Sequence, residues 1–224
     1  MKKISLALAF FIGCSYMFCQ LAIVKNVGDF TTLRVFDKIP VELISSSECK
    51  VEITGTKNGD VQVINKNGEL KIRMTTLKLL AGDNVKVKVY YKQLKDIQAS
   101  EGAVIKSNDR IEEGSLSLNV KEGAKIELEI EVQRLKANIN TGGEIYLTGE
   151  SKEQDIVITS GGNYYSKDLD TQKTMIAINA GGNAEVNVSE TLEAKTRAGG
   201  VIDVYGRPKH VNKKTLAGGK ININ

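Results

Sequence analysis

The chain contains no tryptophan and one histidine, His210, in 224 residues. A single histidine excludes a histidine-based metal cluster and argues against a Ser-His-Asp relay. His210 lies in Arg207-Pro208-Lys209-His210, which reads as a solvated surface turn. Of the three cysteines, Cys14 and Cys19 fall in the first 19 residues. Once those residues are removed, Cys49 is alone and no intramolecular disulfide can form. Three of the five phenylalanines also lie in that leading segment, which leaves Phe30, Phe36 and six tyrosines for the rest. Compact globular cores lean on aromatic bulk; a thin core of Ile, Val, Leu and Ala suits a solenoid better. Helical periodicity is absent beyond the leader. No basic run is longer than Lys213-Lys214, and no phosphate loop or dinucleotide fingerprint occurs, which disfavours nucleic acid as a partner and predicts no cofactor.

The leader itself is informative. Lys2 and Lys3 precede an apolar stretch from Ile4 to Ile12, followed by Gly13, Cys14, Ser15 and Met17-Phe18-Cys19-Gln20. This is the layout of a secretory signal peptide over residues 1–19, with cleavage expected near Cys19 or Gln20. It is too short to span a bilayer, which takes roughly 20 apolar residues, and no transmembrane segment is expected after it. A second reading takes Phe11-Ile12-Gly13-Cys14 as a lipoprotein processing site with Cys14 lipidated. Ser15-Tyr16-Met17-Phe18 stays apolar where such a tether normally turns polar. Lys2 and Lys3 supply two of the net +4, and no acid offsets them, so the mature chain carries +2.

From residue 20 the chain reads as strand almost throughout. Val41-Leu43, Val51-Ile53, Val61-Val63, Leu70-Ile72-Met74 and Val85-Val87-Val89 alternate apolar positions, with Gly55, Asn58-Gly59, Asn67-Gly68 and Gly82-Asp83-Asn84 as turn chemistry between them. The clearest strand is Lys125 to Val132, where Ile126, Leu128, Ile130 and Val132 face inward and Glu127, Glu129 and Glu131 face water.

From about Leu94 a repeat emerges. Its markers are Glu101-Gly102, Glu122-Gly123, Gly142-Gly143, Gly161-Gly162, Gly181-Gly182, Gly199-Gly200 and Gly218-Gly219, whose second glycines are 21, 20, 19, 20, 18 and 19 residues apart. A small residue stands two before the second glycine in every case but Lys121. A unit this short cannot bury an apolar face alone and must stack on copies of itself. At about 3.3 Å per residue it can trace one coil of a β-helix, and seven coils about 4.8 Å apart make a rod of roughly 30 to 35 Å. Glycine at a fixed corner supplies positive φ or a close backbone approach. The expected fold is therefore all-β: a right-handed parallel β-helix (β-solenoid) with about 20-residue coils over residues 94–224. Residues 20–93 form N-terminal strands that extend or cap it and are partly antiparallel where Asn-Gly turns sit at hairpin spacing. An antiparallel sandwich joined by Gly-Gly hairpins is the competing architecture.

The serial Gly-Gly-x-Ile pattern, the segment Leu192 to Gly200, and the ending Ile202-Asp203-Val204-Tyr205-Gly206-Arg207-Pro208-Lys209 through Ala217-Gly218-Gly219-Lys220-Ile221 resemble the putative auto-transporter adhesin, head GIN domain family. The resemblance covers essentially the whole mature chain, including Phe30 to Val41. It implies an exported β-helical domain of Gram-negative bacteria, and its pattern names no catalytic residue. Members commonly show Gly-Ser-Gly-Asp at the corners, whereas this chain has Gly-Gly-Asn, Gly-Gly-Glu or Gly-Gly-Val. That departure removes acids that would otherwise suggest a bound cation, and no metal site is expected.

Candidate site residues follow from the repeat. Counting three beyond each second glycine gives Ile105, Ile126, Tyr146, Tyr165, Glu185, Asp203 and Asn222. Tyr146 and Tyr165, with Tyr164 beside them, suggest an aromatic ladder that either binds a sugar or peptide or supports the sheet. Glu185 and Asp203 are the one carboxylate pair placed for acid-base chemistry on neighbouring coils. Two acids among seven positions is near what chance supplies, and two solvated strand residues is the reading preferred. The function expected is a non-enzymatic, adhesin-like binding or structural role, with a surface protein or glycan as partner, in the periplasm, at the outer-membrane surface or in the medium. The alternative is a carbohydrate-binding or carbohydrate-active protein on the same scaffold.

Overall fold

The structure, a computed structural model, describes residues 22–224. The expected leader over residues 1–19, including Cys14 and its lipidation, lies outside the described residues. Strand follows strand as the alternation requires: β1 (Ile23–Asn26), β2 (Thr32–Val35), β3 (Pro40–Ser45), β4 (Lys50–Gly55), β5 (Val61–Lys66), β6 (Glu69–Met74) and β7 (Val85–Tyr91). Then come β8 (Asp96–Ala99), β9 (Val104–Ser107), β10 (Ile111–Val120), β11 (Lys125–Ile139), β12 (Glu144–Ile158), β13 (Asn163–Ile178), β14 (Asn183–Thr196), β15 (Val201–Tyr205), β16 (His210–Thr215) and β17 (Lys220–Ile223). No helix among the described residues is long and apolar enough to cross a membrane.

From β8 onward every pairing is parallel, and the fold is a β-solenoid. Ile111 lies opposite Ile130, and Lys125 opposite Glu144, so each turn of the chain advances 19 residues here. What closes a coil is a four-residue turn. At the corner before β11 the Ala124 N–H donates to the Lys121 carbonyl at 3.2 Å, and the two central residues, Glu122 and Gly123, have φ of 58° and 68°. Two consecutive positive φ values define a type I′ turn, which glycine enters without steric cost. Corners are then joined to one another. The Gly123 N–H donates to the Thr141 carbonyl at 3.1 Å, Gly142 to Ser160 at 3.2 Å, Gly161 to Ala180 at 3.1 Å, Gly181 to Ala198 at 2.9 Å and Gly199 to Ala217 at 3.0 Å. The glycine corners therefore sit one over another, and the sandwich is excluded.

This ladder corrects the register of the first two markers. Gly102 and Gly123 make the bonds that Gly142 and Gly161 make, so they are equivalent to the first glycine of each later pair and not to the second. Ala103 and Ala124, both fully buried, stand where Gly143 and Gly162 stand. The outward stripe consequently runs through Lys106 and Glu127 instead of Ile105 and Ile126: Lys106 faces Glu127, Glu127 faces Tyr146, and Tyr146 faces Tyr165.

A further corner carries no glycine. Asp37 and Lys38 have φ of 61° and 60°, and the Lys38 N–H donates to the Glu101 carbonyl at 2.9 Å. The coil made by β2 and β3 thus lies directly beneath that of β8 and β9, with which it pairs in parallel. Beyond it the sheet closes in a different manner. β6 and β7 add in parallel to β2 and β3, while β5 on β6, β4 on β7 and β1 on β4 are antiparallel. These strands both extend and cap the solenoid. Asp37, 1% exposed, accepts from the Met74 and Leu80 N–H groups at 3.0 Å each, which ties the β6–β7 connection onto the corner.

The core is a set of inward stripes. Val41, Ile105, Ile126, Ile145, Tyr164, Ala184, Ile202 and Ile221 face one another strand by strand, and all are buried. Each fully buried aliphatic side chain contributes roughly 1.5–3 kcal/mol, so stability is spread evenly along the stack. Cys49 joins this core as a small buried thiol.

Candidate functional site

The outward face of β9 and of the first halves of β11 to β14 carries a hollow of about 760 Å³, lined among others by Lys125, Glu127, Tyr146, Tyr165, Lys167 and Glu185. Its shape comes from a break in regularity. Tyr146 lies opposite Tyr165, but Thr148 lies opposite Asp168, so β13 carries one residue more than β12 there. Against β14 the mismatch grows, since Ser166 faces Val186 while Asp170 faces Asn187. Such a bulge bends its strand and re-aims side chains. Lys167 and Asp168, at the bulge, line the hollow beside Tyr165.

Tyr146 and Tyr165 stack with ring centroids 4.6 Å apart and planes 27° apart. The Lys125 ammonium stands 3.9 Å from the Tyr146 centroid. Because β11 and β13 flank β12, Lys125 and Tyr165 cover opposite faces of the Tyr146 ring. A sugar ring therefore has no free face on Tyr146 to stack against. Tyr165 offers its remaining face toward Glu185, its neighbour on β14.

Charge is ordered around the pair. The Lys106 ammonium, 2.8 Å from Glu127, holds that carboxyl below the usual carboxylate range, with Lys125 at 3.4 Å assisting. The Tyr146 hydroxyl donates to Glu144 at 3.2 Å. Desolvation first, then the Glu144 carboxylate, raises the pKa of both phenols, and Glu185 adds to the effect on Tyr165. Both hydroxyls remain neutral donors at physiological pH. A second hollow of about 530 Å³ adjoins the first, sharing Asn108 and lined by Glu42, Glu52, Lys86 and Lys88.

The expected residues separate into three groups. Tyr146 and Tyr165 come together as anticipated. Glu185 and Asp203 are directly opposed on β14 and β15, with Asp203 accepting from Asn222 at 2.8 Å. Tyr164 does not join either pair. It is fully buried in the inward stripe, its hydroxyl donating to Gln154 at 2.7 Å, and Gln154 donating in turn to Thr174 at 2.9 Å. Successive strand residues point to opposite faces, so Tyr164 had to face inward once Tyr165 faced out. Lys106 and Glu127 were missed because the off-by-one corner assignment placed isoleucines in their stripe, and Lys125 because it lies in the row of Val104 and Glu144, two residues before that stripe. Among the described residues no three His, Cys, Asp or Glu side chains gather as a metal-binding group would require.

Comparison with solved structures gives the same architecture. A putative adhesin from Bacteroides fragilis NCTC 9343 superposes with a TM-score of 0.85 at 17% identity, covering 91% of this chain and 96% of that one. A putative adhesin from Parabacteroides merdae ATCC 43184 gives 0.73 at 21% identity, with coverage of 91% and 95%. A putative lipid binding protein from Parabacteroides distasonis ATCC 8503 gives 0.71 at 17% identity, with coverage of 91% and 96%. At these identities the likeness speaks for the fold alone. No protein with a curated description matches the chain. Residues 29–208 match one family model, and by that match the chain belongs to the family described as putative auto-transporter adhesin, head GIN domain.

Proposed function

We propose that this chain is exported, loses residues 1–19, and acts without catalysis as an adhesin-like protein of the cell envelope or medium that holds a surface protein or glycan on its outer sheet face. The observation that carries this reading is the Tyr146–Tyr165 stack set in the bulged hollow. Aromatic side chains with polar tips, fixed on strands, give contact area at little entropic cost. The strands that carry them are paired on both sides, so the surface is preformed. Membership of a family described as adhesin supports the same reading.

A purified chain beginning at residue 20, screened on immobilised glycans and surface proteins, is expected to capture a partner, and Tyr165→Ala to weaken capture at least tenfold. Capture that is indifferent to Tyr165 would remove the hollow from the account. Antibody labelling of intact cells separates an outer-surface or secreted protein from a periplasmic one.

The opposition of Glu185 and Asp203 favours one second reading, a carbohydrate-active protein. Any glycoside-cleaving activity that persists in Glu185→Gln with Asp203→Asn would end it.

A further inference from the structure

The Tyr146–Tyr165 stack is flanked on its two sides in matching fashion, except for one group. Glu127 is the cross-strand neighbour of Tyr146 on β11, and Glu185 that of Tyr165 on β14. On the β11 side Lys125 stands two residues before Glu127, its ammonium 3.9 Å from the Tyr146 centroid and 3.4 Å from the Glu127 carboxylate. On the β14 side the residue two before Glu185 is Asn183, which is neutral and donates to Asn163 at 3.1 Å. β15 brings no cation to these rows: Val201 lies opposite Asn183, and Asp203 opposite Glu185. Lys167, the other lysine lining the hollow, does not serve either. Among the described residues neither Glu185 nor Asp203 has an ion-pair partner, and no cation covers the Tyr165 ring.

Building on the reading of this hollow as the partner site, we propose that the outer face of Tyr165, with Glu185 beside it, takes a lysine or arginine side chain from a basic segment of a partner protein. That side chain occupies on Tyr165 the place that Lys125 occupies on Tyr146. The fold uses the same grouping again at Tyr90, where the Lys50 ammonium stands 4.3 Å from the ring centroid and 3.3 Å from Glu52. A cation within about 6 Å of a tyrosine centroid is drawn to the ring face, and a carboxylate alongside adds its charge. Charge decides between a protein and a glycan here. Lys106 and Lys125 already neutralise Glu127, whereas Glu185 and Asp203 oppose each other across neighbouring strands, an arrangement that costs stability until a cation offsets it. A neutral sugar offers no such offset. Complementary charge of this kind selects one partner over others.

The test uses the purified chain beginning at residue 20, isotope-labelled in its tyrosine rings and followed by NMR. The probes are N-acetyl-arginine methylamide, its uncharged isostere N-acetyl-citrulline methylamide, and N-acetylglucosamine. Arginine should produce a saturable shift of the Tyr165 ring resonances larger than that of Tyr146, whose faces are both covered. Citrulline should bind about fivefold more weakly, and added salt should weaken the arginine complex. Glu185→Gln should lower arginine affinity by a similar factor, with a melting temperature no lower than that of the parent because the opposition to Asp203 is relieved. Equal affinity for arginine and citrulline, unchanged arginine affinity in Glu185→Gln, or a Tyr165 response to N-acetylglucosamine alone would overturn the proposal. Partner capture that needs Tyr165 but survives Glu185→Gln undiminished would also overturn it, while leaving the hollow as the partner site; capture indifferent to Tyr165 removes both.

Discussion

A β-carbon placed on Gly143 would stand 2.8 Å from the carbonyl oxygen of Val120 in the coil beneath. Its neighbour Gly142 has open space around it but a φ of 69°. The two glycines of this corner therefore answer different demands. The first turns the chain, and the second lets one coil settle on the next.

Substitution should separate these roles. Gly142→Ala costs about 1–2 kcal/mol for the left-handed backbone, and Gly142→Asn recovers most of it because asparagine tolerates that region. Gly143→Ala costs about 1–3 kcal/mol by overpacking against backbone that cannot give way, and Gly143→Asn costs more. Urea denaturation midpoints at constant slope measure all four.

The buried pair formed by Tyr164 and Gln154 makes a second prediction. Tyr164→Phe leaves the Gln154 carbonyl oxygen without its donor inside the core, at a cost of about 1–3 kcal/mol. Tyr165→Phe, on the outer face, should stay within about 0.5 kcal/mol. Equal effects of the two substitutions would place Tyr164 in solvent.

Alkaline stability follows from Tyr91. Desolvation raises its pKa from 10.0 to about 12, with the Asp109 and Glu113 carboxylates adding to it. Above pH 10 the unfolded chain loses this proton while the folded chain keeps it, so stability falls as pH rises from about 10 to about 12. Below pH 10 the group contributes its full share. Tyr91→Phe should flatten the stability profile in that window and leave it unchanged near pH 7.

What was legible in the sequence was whatever glycine or strict alternation announced. Gly142 through Gly219 marked their corners, and Ile126, Leu128, Ile130 and Val132 declared the inward side of β11. The register slipped by one at Gly102 and Gly123 because alanine, small enough for the crowded position, replaces the second glycine there. The Asp37–Lys38 corner left no trace, since its positive φ values are held by hydrogen bonds from residues 74 to 82 that are remote in sequence. Tyr164 was decipherable from parity, as Ile145 and Ala184 flank it in the same stripe. The hollow was not, because it depends on extra residues in β13 relative to its neighbours, and a bulge has no signature in one strand alone.

The stacking of corners is the claim on which the site and the end cap both depend. Nitroxide labels on Glu101 paired in turn with Ala180, Ala198 and Ala217 span four, five and six coils. With coils about 4.8 Å apart, double electron–electron resonance should give distances of about 19, 24 and 29 Å, rising by one strand spacing at each step. Distances that alternate between short and long, as strands running up and down would produce, would contradict the solenoid.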